Sequence, residues 1–306
     1  MPFSIKVTMQ LNDTQKGIFY MLLSSALFGL MGLVVKVLST ASNPISSVEL
    51  VFFRSIFGVF VLFASFYHIP NSKLGGKPWL LFFRGLIGFI ALLMFFYNLT
   101  HLTIAQATVF SKTSPIFTTI LAFFFFKEHL YKSAWFAVFL GFVGIIFITG
   151  FEPQLDKTDL LGILSGLLAA LAYSSVKELR KHYDSRVIVL SFTLIGSIGP
   201  LILMSLGTLY EELTTIEELD FIITSFTMPR GIQWFHICVL GAVSTAAQVL
   251  MTKSYGYAKA GIVSTISYST IAFSILFGFF IGDPFPSLMT CIGIALVVVS
   301  GILVSR

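Results

Sequence analysis

Apolar residues along the chain come in long uninterrupted stretches, each about as long as a bilayer core of ~30 Å requires of a helix, roughly 20 residues. Charged, Pro and Gly positions punctuate them. Cutting there yields ten helical spans, near Gly17–Ser39, Ser46–His68, Pro78–Leu99, Ile104–Phe126, Ser133–Thr149, Leu160–Leu179, Val187–Leu209, Gln233–Tyr255, Gly261–Gly282 and Phe285–Val304. The runs do not alternate polar with apolar, which disfavours a membrane barrel. Most connections are very short. The exception, Leu209 to Ile232, spaces Leu209, Leu213, Ile216, Leu219 and Ile223 at helical intervals beside five acids, and predicts an amphipathic helix on the outer surface.

Composition agrees. Of 306 residues, 56% are apolar and only 11% are Asp, Glu, Lys or Arg, less than half the ~25% of soluble domains. A water-soluble enzyme, a disordered chain and a fibre are all excluded. The two cysteines, Cys238 and Cys291, lie in apolar runs and read as small buried hydrophobes, not as a disulfide framework.

Charge then sets orientation. With the N-terminus in the cytoplasm, one side collects Lys6, Lys16, Lys73, Lys77, Lys127, Lys132, Arg180, Lys181, Arg186, Lys259 and Arg306, while the other holds only Lys157 and Arg230 among many acids. Cytoplasmic loops carry the Lys/Arg excess, so both termini are expected inside, as in a bacterial inner membrane. The net charge of +5 is thereby a topology signal, and no nucleic-acid footprint appears.

The chain also repeats itself. Gly17-Ile18, Leu22-Leu23-Ser24-Ser25 and Phe28 return as Gly162-Ile163, Leu167-Leu168-Ala169-Ala170 and Tyr173. Pro115 stands thirteen residues before Glu128, and Thr270 thirteen before Asp283. Five spans per copy is an odd number, so the second copy inserts upside down, the arrangement that underlies alternating access. The expected fold is an all-α polytopic membrane protein: a cytoplasmic segment 1–16, then two inverted five-helix repeats over 17–150 and 160–306.

On these residues the chain resembles the EamA family of the drug/metabolite transporter superfamily. Arg84-Gly85-Leu86-Ile87-Gly88, Ala105-Gln106-Ala107-Thr108, Ser114-Pro115-Ile116-Phe117 and Lys127-Glu128 carry the likeness in the first half. Ala246-Ala247-Gln248, Ser254-Tyr255, Ala258, Ser264, Tyr268 and Gly282-Asp283 carry it in the second. The resemblance implies a secondary transporter with a central cavity lined mainly by the first, third, fourth, sixth, eighth and ninth helices. Three positions depart from the family pattern: Thr270 where Pro is frequent, Asp283 where Glu is usual, and the charge of Lys112.

Ionisable groups inside the membrane cost about 2.5–3.5 kcal/mol each on insertion scales, so they should face protein or water. Lys36, Glu49, Arg54, Arg84 and Lys112 are such groups. Thr108, Ser111, Lys112, Pro115 and Thr119 form one polar stripe, read as cavity lining, with Pro115 freeing a backbone carbonyl. Lys112 snorkelling outward or pairing with Glu49 is the structural alternative. Arg84, below Gly88, Ala91, Phe95 and Asn98, could grip a carboxylate or phosphate, or could anchor its helix. Glu49 and Arg54 are candidates for a coupling or structural ion pair, although five residues do not bring them onto one face. Lys36 reads as an anchor. Phe28, Tyr173, Gln248, Ser264 and Tyr268 complete the candidate wall, with helix–helix hydrogen bonding as the alternative. Gly162-x-x-x-Gly166 and Gly278-x-x-x-Gly282 read as close helix packing.

The buried positive surplus points to a small-molecule substrate that bears a carboxylate or is zwitterionic, such as an amino acid or nucleotide-like metabolite. The lipid bilayer is the other expected partner, and a homodimer is left open. No Gly-x-x-x-x-Gly-Lys-Ser/Thr phosphate loop occurs, and the five scattered histidines lack ligand spacing, so no ATP-driven pump, cofactor or metal is expected. A membrane-embedded enzyme and a channel are the competing readings.

Overall fold

The computed structural model describes residues 12–68, 75–126, 132–149 and 155–304, all of it helices and connections. The first half contains α1 (Asp13–Ser39), α2 (Ser47–His68), α3 (Pro78–His101), α4 (Ile104–Ser111), α5 (Ser114–Phe126) and α6 (Lys132–Thr149). The second contains α7 (Lys157–His182), α8 (Ser185–Leu209), the single turn α9 (Glu211–Thr214), α10 (Gln233–Tyr257), α11 (Ala260–Ser267), α12 (Ser269–Phe280) and α13 (Leu288–Val304). Lys6, Lys73, Lys127, Glu128, Glu152, Arg306 and most of the 1–16 segment lie outside the described residues.

Seven helices are long and apolar enough to cross a membrane, with shorter apolar helices at Trp135–Thr149 and Leu288–Leu303. Their outward faces carry large exposed apolar side chains such as Phe60, Phe139, Leu201 and Phe279, a surface that lipid solvates and water does not. The protein is a multi-pass helical membrane protein.

Two helices are broken at corresponding places. The fourth predicted span stops at Ser111, turns through Lys112 and Thr113, and restarts at Ser114; the ninth breaks at Tyr268 and restarts at Ser269. Pro115 therefore occupies the first turn of α5, where a missing N–H costs nothing, instead of interrupting a continuous helix as expected.

Packing is organised in matched pairs. α1 lies on α10 as α7 lies on α3; α1 touches α11 and α12 as α7 touches α4 and α5; α10 meets α2 as α3 meets α8. The contacts α2 with α8, α6 with α13 and α4 with α12 join the first half of the chain to the second. Small residues permit the close approaches. A Cβ on Gly162 would meet the Phe110 ring at 2.5 Å, and one on Gly166 would meet Thr113 Oγ1 and the Phe110 carbonyl oxygen, so this pair is a packing motif as expected. Gly282 is different. It sits at φ +83 with open space around it and ends α12, while Asp283 N–H reaches back to Gly278 O at 3.0 Å. A Cβ on Gly278 would meet the Asp283 side chain first, at 3.2 Å, and not a neighbouring helix, so the second glycine pair is a helix stop and not the expected packing motif.

The long connection does not form the expected amphipathic helix. After α9 and a 3-10 turn at Glu217–Leu219 it runs as an irregular strap over the ends of the bundle. Its polar groups are spent on anchors: Asp220 accepts from the Tyr97 hydroxyl at 3.0 Å and bonds Lys157, Thr224 meets Ser46 at 3.1 Å, and Thr227 N–H donates to Glu49. Tertiary contacts to three helix ends, those of α2, α3 and α7, outweigh the local helical spacing.

Candidate functional site

A cavity of about 70 Å³ lies among the helices, with room for several water molecules. Its wall takes Phe28 and Met31 from α1, Arg54 from α2, Arg84, Gly88 and Phe95 from α3, and Thr108 and Ser111 from α4. Lys112 comes from the break, Ser165 and Tyr173 from α7, Phe192 from α8, Gln248 from α10 and Thr270 from α12. Both broken helices therefore meet it at their interruptions.

The two guanidiniums dominate its chemistry. Arg54 and Arg84 are each 2% exposed and share one aromatic ring: their Cζ atoms lie 5.3 and 5.0 Å from the Phe192 centroid. Phe96 backs Arg54 at 5.8 Å and Tyr173 backs Arg84 at 5.9 Å. Cation–π contacts of this kind contribute ~0.5–2 kcal/mol each, less than the several kcal/mol that desolvating an ion costs. Nε and Nη1 of both arginines are buried and have no hydrogen-bond partner among the described residues. An Arg cannot shed its proton to escape this cost.

Local sequence makes room for Arg84. Gly88, one turn further along α3, has no side chain where a Cβ would fall 2.3 Å from Arg84 Nη1 and 3.2 Å from the Phe192 ring. Arg-x-x-x-Gly on a helix is the sequence signal for an arginine folded along its own helix. No comparable signal marks Phe192 or Ser165, and Thr270 stood out in the sequence only as the counterpart of Pro115; Phe192 lies 138 positions from Arg54.

Of the candidate wall residues, Phe28, Arg84, Thr108, Ser111, Lys112, Tyr173 and Gln248 line the cavity. Others are placed elsewhere. Asn98 donates to Thr158 O at 2.9 Å where α3 crosses α7. Ser264 bonds Gly261 O within α11, and Tyr268 is buried in an apolar cluster against α13. Pro115 starts α5 behind the break. Glu49 caps its own helix, accepting from Ser46 N–H at 3.0 Å, and holds the strap; no ion pair joins it to Arg54 or to Lys112. Lys36 donates to Leu102 O at 2.7 Å, tying α1 to the turn between α3 and α4.

Among the described residues no carboxylate lines the cavity. The ion pairs among the described residues sit at or near the ends of the bundle instead. Lys77, Lys181 and His182 surround Glu178 at one end, and Lys157 pairs with Asp220 at the other, its Nζ also 5.2 Å from the Tyr97 ring centroid. Among the described residues no group of three or more His, Cys, Asp or Glu side chains is placed to hold a metal ion.

Broken helices meeting at a buried polar cavity inside a multi-pass bundle fit a membrane transporter of small molecules. The chain belongs to the EamA-like transporter family, whose model matches residues 15–150 and again 156–306. It is 33% identical, over 94% of each chain, to an uncharacterized transporter of Helicobacter pylori. It is 25% identical to the pseudopaline exporter of Pseudomonas aeruginosa, covering 97% of this chain and 99% of that one. A third relative, the S-adenosylmethionine uptake transporter of Rickettsia felis, is also 25% identical, over 94% and 93% of the two chains. A solved crystal structure at 18% identity shares the fold with a TM-score of 0.57 over 96% of each chain. The protein is thus a small-molecule transporter and not an enzyme.

Proposed function

We propose that the protein is a secondary active carrier of a small organic metabolite bearing a carboxylate or a zwitterionic head, working by alternating access. The observation that carries this reading is the cavity wall: Arg54, Arg84 and Lys112 converge with aromatic rings and no carboxylate. Lys112, Arg84, Thr108, Ser111, Phe28, Tyr173 and Gln248 are its substrate-binding residues, joined by Arg54.

Ten spans in two inverted five-helix repeats, over 17–150 and 160–306, supply the two interconverting shapes. The matched packing pairs, the two helix breaks and the two family matches support that arrangement. Lysine and arginine counts in the loops support cytoplasmic termini in a bacterial inner membrane, which puts the 210–232 strap outside. Relatives named for uptake and for export leave direction to experiment.

Saturable counterflow in proteoliposomes tests the reading. A carrier exchanges labelled for unlabelled substrate against no net gradient; a linear, unsaturable flux indicates a channel and overturns it.

A further inference from the structure

Resting on the carrier reading, we propose that the cavity selects an organic dianion over both a monoanion and a zwitterion. Three cations face it, and among the described residues no acid answers them. Arg54 and Arg84 are permanently charged, buried, and incompletely hydrogen-bonded among the described residues, so a compensating charge is best brought by the substrate. A zwitterion brings no net charge and leaves the pair uncompensated. A monoanion compensates one member.

Geometry limits the size of the dianion. Both guanidiniums sit against the same Phe192 ring, at 5.3 and 5.0 Å, so they are separated by no more than the roughly 10 Å those distances allow. Two carboxylates on a short carbon chain span that interval, each taking a planar two-donor fork. A phosphate monoester can place both charges between the forks. Lys112, which enters from the helix break and makes no ion pair among the described residues, adds a third cationic contact.

The test uses the purified full-length protein and thermal-shift titration at constant ionic strength. Malonate, succinate, glutarate and adipate are each compared with their monomethyl esters, with a neutral amino acid and with methyl phosphate. At least one dianion should bind about tenfold or more tightly than its monoester, and Arg54→Gln or Arg84→Gln should reduce that preference to under about threefold. Arg54→Lys and Arg84→Lys keep charge and core volume and should retain part of the preference, which separates lost recognition from lost folding. A best ligand among the dicarboxylates assigns two carboxylates, and methyl phosphate binding tightest assigns a phosphomonoester; both support the proposal. Monoester or amino acid binding as tightly as the matching dianion, or no dianion binding, overturns it. Dianion-selective binding without counterflow refutes the carrier and keeps this site, whereas counterflow of a zwitterion without dianion preference does the reverse.

Discussion

Replacing Gly166 by Ala should destabilise the protein by pushing α7 off the break between α4 and α5. The added Cβ would fall 2.1 Å from Thr113 Oγ1 and 2.7 Å from Phe110 O. Neither neighbour yields easily. Thr113 Oγ1 already donates to Phe110 O at 2.6 Å, and Val109 and Phe110 are buried at 0% and 1% exposure, so the backbone has nowhere to retreat. Overpacking of this kind costs ~1–3 kcal/mol. At ~2–4 °C per kcal/mol the melting temperature should drop by roughly 2–12 °C, read by intrinsic fluorescence of the purified protein. Thr113→Ala gives the second leg of a cycle. Alone it removes a hydrogen bond worth ~1 kcal/mol, but combined with Gly166→Ala it relieves the 2.1 Å contact, so the two costs should fall short of adding by ~0.5 kcal/mol or more. Strictly additive losses, or a Gly166→Ala protein melting with the wild type, would refute the seating of α7 on the break.

Other perturbations test separate parts. Lys112→Ala should abolish counterflow while expression and melting stay normal; full activity would remove Lys112 from the binding wall. Gly88→Ala should fold, since its clash is with the movable end of Arg84, yet weaken substrate binding about 10- to 100-fold by displacing a charged hydrogen-bonding group worth ~1.5–3 kcal/mol, seen as a raised half-saturation in counterflow. Asp220→Ala frees the strap from Tyr97 and Lys157 and should speed maleimide labelling of a cysteine placed at Phe95 in a Cys238/Cys291-free protein; unchanged labelling would mean the strap does not limit access to Phe95.

Hydrophobic run length carried the helix boundaries well because bilayer thickness imposes them one segment at a time. Charge in the span pattern found Arg84 and Lys112 because few charges tolerate that setting. Reasoning from residues failed where distant segments decide. Glu49 and Arg54 share a helix but serve different surfaces, Glu49 holding Thr227 and Arg54 resting on Phe192, and neither partner is visible in local spacing. Leu213, Ile216 and Leu219 have helical intervals, yet the strap gives its helix up because Asp220, Thr224 and Thr227 bond elsewhere. Ser264 and Tyr268 lie on a polar-looking face, yet Ser264 bonds back into its own helix, α11, and Tyr268 packs against α13.

Asp283 accepts a hydrogen bond from Ile104 N–H at 2.9 Å, closing the start of α4 from the far half of the chain, beside the Thr103–Gln106 capping box. The two residues are 179 positions apart. At ~5–20 residues per second, a ribosome adds Asp283 roughly 9–36 s after it adds Ile104. During that interval one exposed donor at the head of the broken helix must be served by water or lipid headgroups, so the first half enters the membrane with its binding element unfinished. Fixing of α4 thereby waits for synthesis of the second half, and a chain truncated before Asp283 lacks one of the contacts that hold α4 in place.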